Sequence, residues 1–136
     1  MKKIEEIIIY QNPHPLLVSK QGIFPGVSLL PNNDLLTIFS IGQAFDSSDQ
    51  RAFVSKSKDD GRTWSTPKQL HNHKYDNCEE TDTLKPLLLN NGDLIATGYA
   101  FIRPDPLTPI HCIGFFLYAF GHVTDGEITY EEKEQI

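Results

Sequence analysis

The sequence predicts an all-β protein made of two four-stranded antiparallel repeats, and three observations carry that prediction. The stretch "SLLPNNDLLTIF" at 28–39 returns as "LLLNNGDLIATGY" at 87–99. Leu29, Leu30, Asp34, Leu35 and Leu36 recur 59 residues later as Leu88, Leu89, Asp93, Leu94 and Ile95. Self-similarity at such a period marks stacked supersecondary units. Each copy also reads as a short apolar strand, an Asn/Pro/Gly/Asp turn and a second apolar strand, which is the pattern of a hairpin. Finally, no segment holds apolar residues at i, i+3, i+4, i+7 over three turns, so no helix is expected.

The elements follow in order. Residues 1–23 form a leader with one strand. Residues 24–70 form the first unit, with strands at about Gly26–Leu30, Asp34–Ile41, Arg51–Ser57 and Thr63–Leu70. Residues 71–84 cross to the second unit, 85–136, with strands at about Lys85–Leu89, Asp93–Ile102, Ile113–Phe120 and Ile128–Ile136. "TWSTPKQL" at 63–70 aligns with "TYEEKEQI" at 129–136, an offset of 66. The seven additional residues fall in the Pro-rich loop Arg103–Pro109, where insertion is tolerated. Four-stranded units at this period are the blades of a β-propeller. A blade buries both sheet faces only between neighbours, and the sequence stops right after the second unit's last strand motif. It therefore reads as the N-terminal part of a longer propeller, or else as a two-blade unit that self-associates through its open faces.

Composition narrows the partners. Of 136 residues, 39% are apolar and 22% charged, as in a soluble globular domain. The net charge of −6 argues against nucleic acid and anionic membranes. Cys78 and Cys112 are too few for a disulfide framework and lack zinc spacing. Glu5 and Glu6 interrupt the N-terminal apolar run, so no signal peptide is expected. No stretch reaches the ~20 apolar residues of a membrane span. A cytoplasmic location is the expectation, with no metal and no cofactor.

The stretch "SKDDGRTWSTP" at 57–67 lies between the third and fourth strands of the first unit. Asp and Ser side chains in a turn accept backbone N–H bonds that the ladder leaves free. Gly61 supplies a positive φ, and Trp64 offers a large apolar face, expected to be buried against the adjoining sheet. Ser57, Asp59, Gly61, Thr63 and Trp64 fill all five positions of S-x-D-x-G-x-T-W. The sequence here resembles the Asp-box (BNR repeat) of the sialidase superfamily. In the second unit "TDGEITY" is similar but degenerate: Asp125, Thr129 and Tyr130 remain, with Val123 and Glu127 at the serine and glycine positions. The resemblance covers about Phe24–Ile136. It implies a six-bladed propeller in which such boxes are structural turns remote from the active site, so Asp59 and Asp60 are not expected to be a catalytic pair.

The resemblance also implies that substrate binds on the opposite end, where the 2–3 loops and the inter-blade crossovers gather. There lie "GQAFDSSDQ" (42–50), "HNHKYDNCEETDT" (71–83) and "RPDPLTPIH" (103–111). Long polar loops of this kind commonly carry function. By resemblance, Asp49, and next Asp46, are the candidate acid/base residues. A general acid needs a pKa raised toward working pH. The alternative is a solvated loop with Asp and Ser as turn formers. Gln43, Arg51, Glu79, Glu80 and Arg103 are candidate substrate-binding groups. Glu79, Glu80 and Asp82 read as an acidic run in the crossover, able to bind a sugar hydroxyl or simply solvated. His71 and His73 have no third ligand for zinc. Sialidases hold the substrate carboxylate with three arginines, and the first sits in an R-I-P-type motif. Here that place reads "GIFPG" (22–26), without arginine, and the chain's three arginines include Arg62 of the box. The family's nucleophile belongs to later blades, so the chain alone is expected to be inactive. The expected function is a sialidase-like propeller belonging to a glycoside hydrolase whose sugar need not be sialic acid. The alternative is a non-catalytic propeller binding glycans or protein.

Overall fold

The computed structural model describes the backbone of residues 5–13, 19–45, 47, 49–70, 79–103, 111–124 and 127–131, and the side chains of these up to residue 70 and again from 83 to 98. The described residues form no helix, and every strand pairing is antiparallel. Strands β1 (Gln21–Leu29), β2 (Leu35–Gly42), β3 (Arg51–Ser57) and β4 (Lys68–Gln69) form one sheet in that order. Strands β5 (Glu79–Leu88), β6 (Asp93–Arg103), β7 (His111–Thr124) and β8 (Glu127–Glu131) form the second, again in sequence order. The fold is all-β.

The two first hairpins are built alike down to single hydrogen bonds. The Leu30 N–H donates to the Asp34 carbonyl at 2.8 Å, and the Leu89 N–H to the Asp93 carbonyl at 2.7 Å. Asn33 donates to Leu30, and Gly92 to Leu89. The amide oxygens of Asn32 and Asn91 accept from the N–H two residues on. Asn33 and Gly92 share the left-handed position, at φ 66° and 90°, where these two residue types carry the least penalty. The 59-residue spacing is thus a repeat of turn chemistry.

The sheets pack face to face. On the first sheet, Leu30, Leu36, Ile38 and Ala52 meet Leu84, Leu94 and Ala96 of the second in one buried cluster. Leu36 and Ile38 face the second sheet, while Thr37 and Phe39, which alternate with them, are also buried, so β2 is covered on both faces. At Gly26 the sheets come so close that a Cβ would lie 2.8 Å from Cδ of Pro86. Ser28 Oγ donates to the Pro86 carbonyl, and the fully buried Gln50 donates from Nε2 to Thr83 Oγ1 at 3.0 Å.

Four boundaries differ from the sequence reading. β1 begins at Gln21 instead of Gly26, inside the expected leader. The fourth strand, expected over Thr63–Leu70, is reduced to Lys68–Gln69. Pro67 has no N–H to donate and breaks the ladder, although Ser65 and Leu70 still donate to the Lys56 and Ala52 carbonyls on either side. β5 begins at Glu79 instead of Lys85, which places Glu79, Glu80 and Asp82 in a strand and not in the crossover. Ladder bonds are made by backbone and need no apolar side chains, and the long β6 offers partners out to Arg103, opposite Glu79. β7 likewise extends to His111–Thr124.

Candidate functional site

The ends of the first sheet carry two different kinds of structure. At one end the 57–64 turn is closed by its own side chains. Ser57 Oγ donates to Asp59 Oδ1 at 2.8 Å and accepts from the Gly61 N–H at 2.9 Å. Asp59 accepts from the Thr63 N–H at 2.8 Å and the Thr63 hydroxyl at 2.6 Å. These bonds from Thr63 and Ser57 hold the Asp59 carboxyl down at about 2. Gly61 sits at φ 85°, and Trp64 Nε1 donates to its carbonyl at 2.9 Å. Trp64 is half-buried, less covered than the sequence reading expects. Its ring lies against Gly61. The turn is fully occupied in holding itself together.

The other end holds the 2–3 loop. Asp49 is its centre. It accepts from the Gln43 N–H at 3.0 Å, from Ser47 Oγ at 2.7 Å and from Lys20 Nζ at 2.7 Å. Burial pushes its carboxyl up, but the Gln43 N–H, Lys20 and Ser47 outweigh that and hold it below its ordinary value. A group so bound is an anion that ties the leader to the loop, the reverse of the raised carboxyl a general acid requires. Asp46, the second candidate, lies outside the described residues, as do His71 and His73. The Gln43 carbonyl accepts from Gln21 Nε2 and its side chain is exposed, while Arg51 Nη1 donates to the Gln50 carbonyl at 2.8 Å. Glu79, Glu80 and Arg103 are placed by backbone at the same end of the second sheet, Glu79 across from Arg103.

The structure adds three residues that pattern reading passes over. β1 carries a bulge between Ile23 and Gly26, and within it Phe24 adopts φ 54°. A positive φ is strained for an aromatic residue, and such outliers gather at functional positions. Phe24 meets Phe45 edge-on, with ring centroids 5.3 Å apart. Phe45 stands 66% exposed at the loop tip. Lys85 Nζ donates to the Phe24 and Pro25 carbonyls at 2.8 and 2.9 Å and stands 5.9 Å from the Phe24 ring. The result is an aromatic pair with an ammonium group beside it. The only sequence signal was "GIFPG" itself, where an aromatic residue next to proline stands in a bulge.

An open cleft of about 260 Å³ lies nearby, lined by Ile7, Ile8, Ile9, Tyr10, Gly22, Ile23, Pro25 and Phe39. It is largely apolar, with Tyr10 donating its hydroxyl proton to the Lys20 carbonyl. Among the described residues no three His, Cys, Asp or Glu side chains converge as a metal site would need, and no helix is long and apolar enough to cross a membrane.

No protein-family model matches the chain, and no curated protein does. A solved structure of an unknown-function protein from Dyadobacter fermentans DSM 18053 is similar to it, with 22% sequence identity and a TM-score of 0.65. The match takes in 96% of this chain and 39% of that one. The chain thus spans well under half the length of that protein, and the likeness is one of fold.

Proposed function

We propose that the two sheets are successive blades of a sialidase-like propeller, and that their loop end recognises carbohydrate. The blade reading is supported by the repeated hairpin chemistry, by the face-to-face packing of two open meanders, and by a fully bonded S-x-D-x-G-x-T-W turn between β3 and β4. The similar protein from Dyadobacter fermentans leaves more than half of its length unmatched, which is room for further blades.

The observation that carries the binding reading is the Phe24–Phe45 pair beside Lys85. The C–H face of a pyranose is apolar enough to pack on an exposed aromatic ring, while its hydroxyls seek donors and acceptors at the rim. Gln43 supplies these at the loop tip. Within this reading Asp49, held as an anion, orders the loop that presents Phe45. The test is a titration of the ¹⁵N-labelled chain with a panel of simple methyl glycosides. Shifts confined to the amides around Gln43–Phe45, and abolished by Phe45→Ala, are expected. No shift with any neutral or acidic sugar would overturn the carbohydrate assignment.

A further inference from the structure

The bulge in β1 is held from the other sheet. Ile23 pairs with Ser40 and Gly26 with Ile38, so Phe24 and Pro25 together stand against Phe39 and drop out of the ladder. A bulge of this kind re-aims a side chain. Phe24 precedes a proline, where the backbone is ordinarily extended at negative φ, yet it sits at φ 54°. A strained residue keeps such a conformation only where its surroundings impose it. Here the imposing group is Lys85 of β5. Its Nζ donates to the Phe24 carbonyl at 2.8 Å and to the Pro25 carbonyl at 2.9 Å. Both carbonyls belong to the two residues that the ladder leaves out, and a charged donor bridging them is a strong partner.

The approach of Lys85 is built into both strands. A Cβ at position 26 would lie 3.0 Å from Cδ of Lys85 and 2.8 Å from Cδ of Pro86, so a glycine there lets the lysine stem cross β1. Ser28 Oγ donates to the Pro86 carbonyl, which ties the backbone next to Lys85 to the same strand. Held in this way, the ring of Phe24 meets Phe45 edge-on at 5.3 Å. We propose that Lys85 is a positioning residue for this site. Through its ammonium group the second sheet fixes the backbone of Phe24, and with it the aromatic pair. Lys85 acts through Phe24 and not by touching the sugar, with two of its three protons committed to carbonyls. The pair is therefore a product of two docked sheets, although both rings belong to the first. Its part in binding rests on the carbohydrate reading; the setting of the ring pair does not.

The experiment compares the full chain with Lys85→Met, which keeps the stem and loses the donor, and Lys85→Arg, which keeps the charge and the donors. Aromatic ¹³C NMR without ligand follows the nuclear Overhauser contact between the Phe24 and Phe45 rings. The contact between Ser28 and Pro86 reports whether the sheets stay docked. Lys85→Met should lose the ring contact and keep the docking contact, and Lys85→Arg should keep both. Methyl glycosides are then titrated into all three chains. Lys85→Met should bind about tenfold more weakly than the wild type, and Lys85→Arg within about threefold of it. Absence of the ring contact from the wild type, or its survival in Lys85→Met, overturns the proposal whether or not a sugar binds. Loss of the Ser28–Pro86 contact in Lys85→Met also overturns it, since Lys85 would then be a docking residue. So does a large loss of binding in Lys85→Arg with the ring contact intact, which would put Lys85 against the sugar. If the wild type binds no glycoside while Lys85→Met alone loses the ring contact, the positioning role stands and the carbohydrate reading falls.

Discussion

The first sheet holds two Ser-x-Asp pairs at opposite ends, and they do different things. Ser57 donates to Asp59 at 2.8 Å, and Ser47 donates to Asp49 at 2.7 Å. In the 57–64 turn every further bond to the carboxylate comes from Thr63, four residues away. In the 43–50 loop the carboxylate accepts from the Gln43 N–H within the loop and also from Lys20, 29 residues away on the leader. One aspartate closes a turn by itself, and the other fastens two segments of the chain. The same dipeptide pattern thus yields a self-contained motif in one place and a tertiary clamp in another. What differs is where the remaining donors come from.

The largest effect should come from the self-contained turn. Gly61→Val places a β-branched residue at φ 85°, with its Cβ 3.3 Å from Leu35 Cδ1. It should destabilise the chain by about 3 kcal/mol in chemical denaturation. Unchanged stability would mean the turn does not hold the sheet end. Trp64→Ala should cost about 2 kcal/mol, less than the ~3–5 kcal/mol of a fully buried aromatic, because the ring is only half covered.

Acid should separate the two pairs next. The Asp59 carboxyl sits at about 2 folded against 3.8 as its reference value. Its folded state therefore favours the ionised form. That stabilisation is complete above about pH 4 and is lost as pH falls through about 2. The melting temperature of the wild type should drop across this window. Asp59→Asn should start lower and flatten that part of the profile. The smallest effect belongs to the clamp. Asp49→Asn keeps the shape and loses the ion pair with a partly exposed Lys20, so about 0.5 kcal/mol is expected, shrinking in high salt. A large, salt-independent loss would show that the clamp is structural in a way its exposure does not suggest.

The same contrast explains what could be read from sequence. The box turn was legible because its donors and acceptors lie within eight residues, and residue type fixes such bonds. The 59-residue repeat was legible because Asn32/Asn91 and Asp34/Asp93 keep their turn roles. The start of β5 was not, since Glu79–Thr83 has no apolar alternation and is recruited by the backbone of β6. Nor was the shortened β4, although Pro67 gave its cause. At the loop end, Asp49 was found by its position after the second strand, but its state was hidden. Lys20 is far off in sequence and belongs to no motif. The Phe24–Phe45–Lys85 group was missed for the same reason: Lys85 comes from the other sheet, 61 residues away.

The central claim is that the loop-end aspartate is a bound anion and not a proton donor. Carboxyl-¹³C NMR of the labelled chain, titrated from pH 7 downward, follows each aspartate by itself. The account predicts that Asp49 titrates below its ordinary value, and that Lys20→Ala moves it upward toward that value. An Asp49 carboxyl that titrates above the ordinary range, unmoved by removal of Lys20, would contradict it and return this residue to the role of general acid.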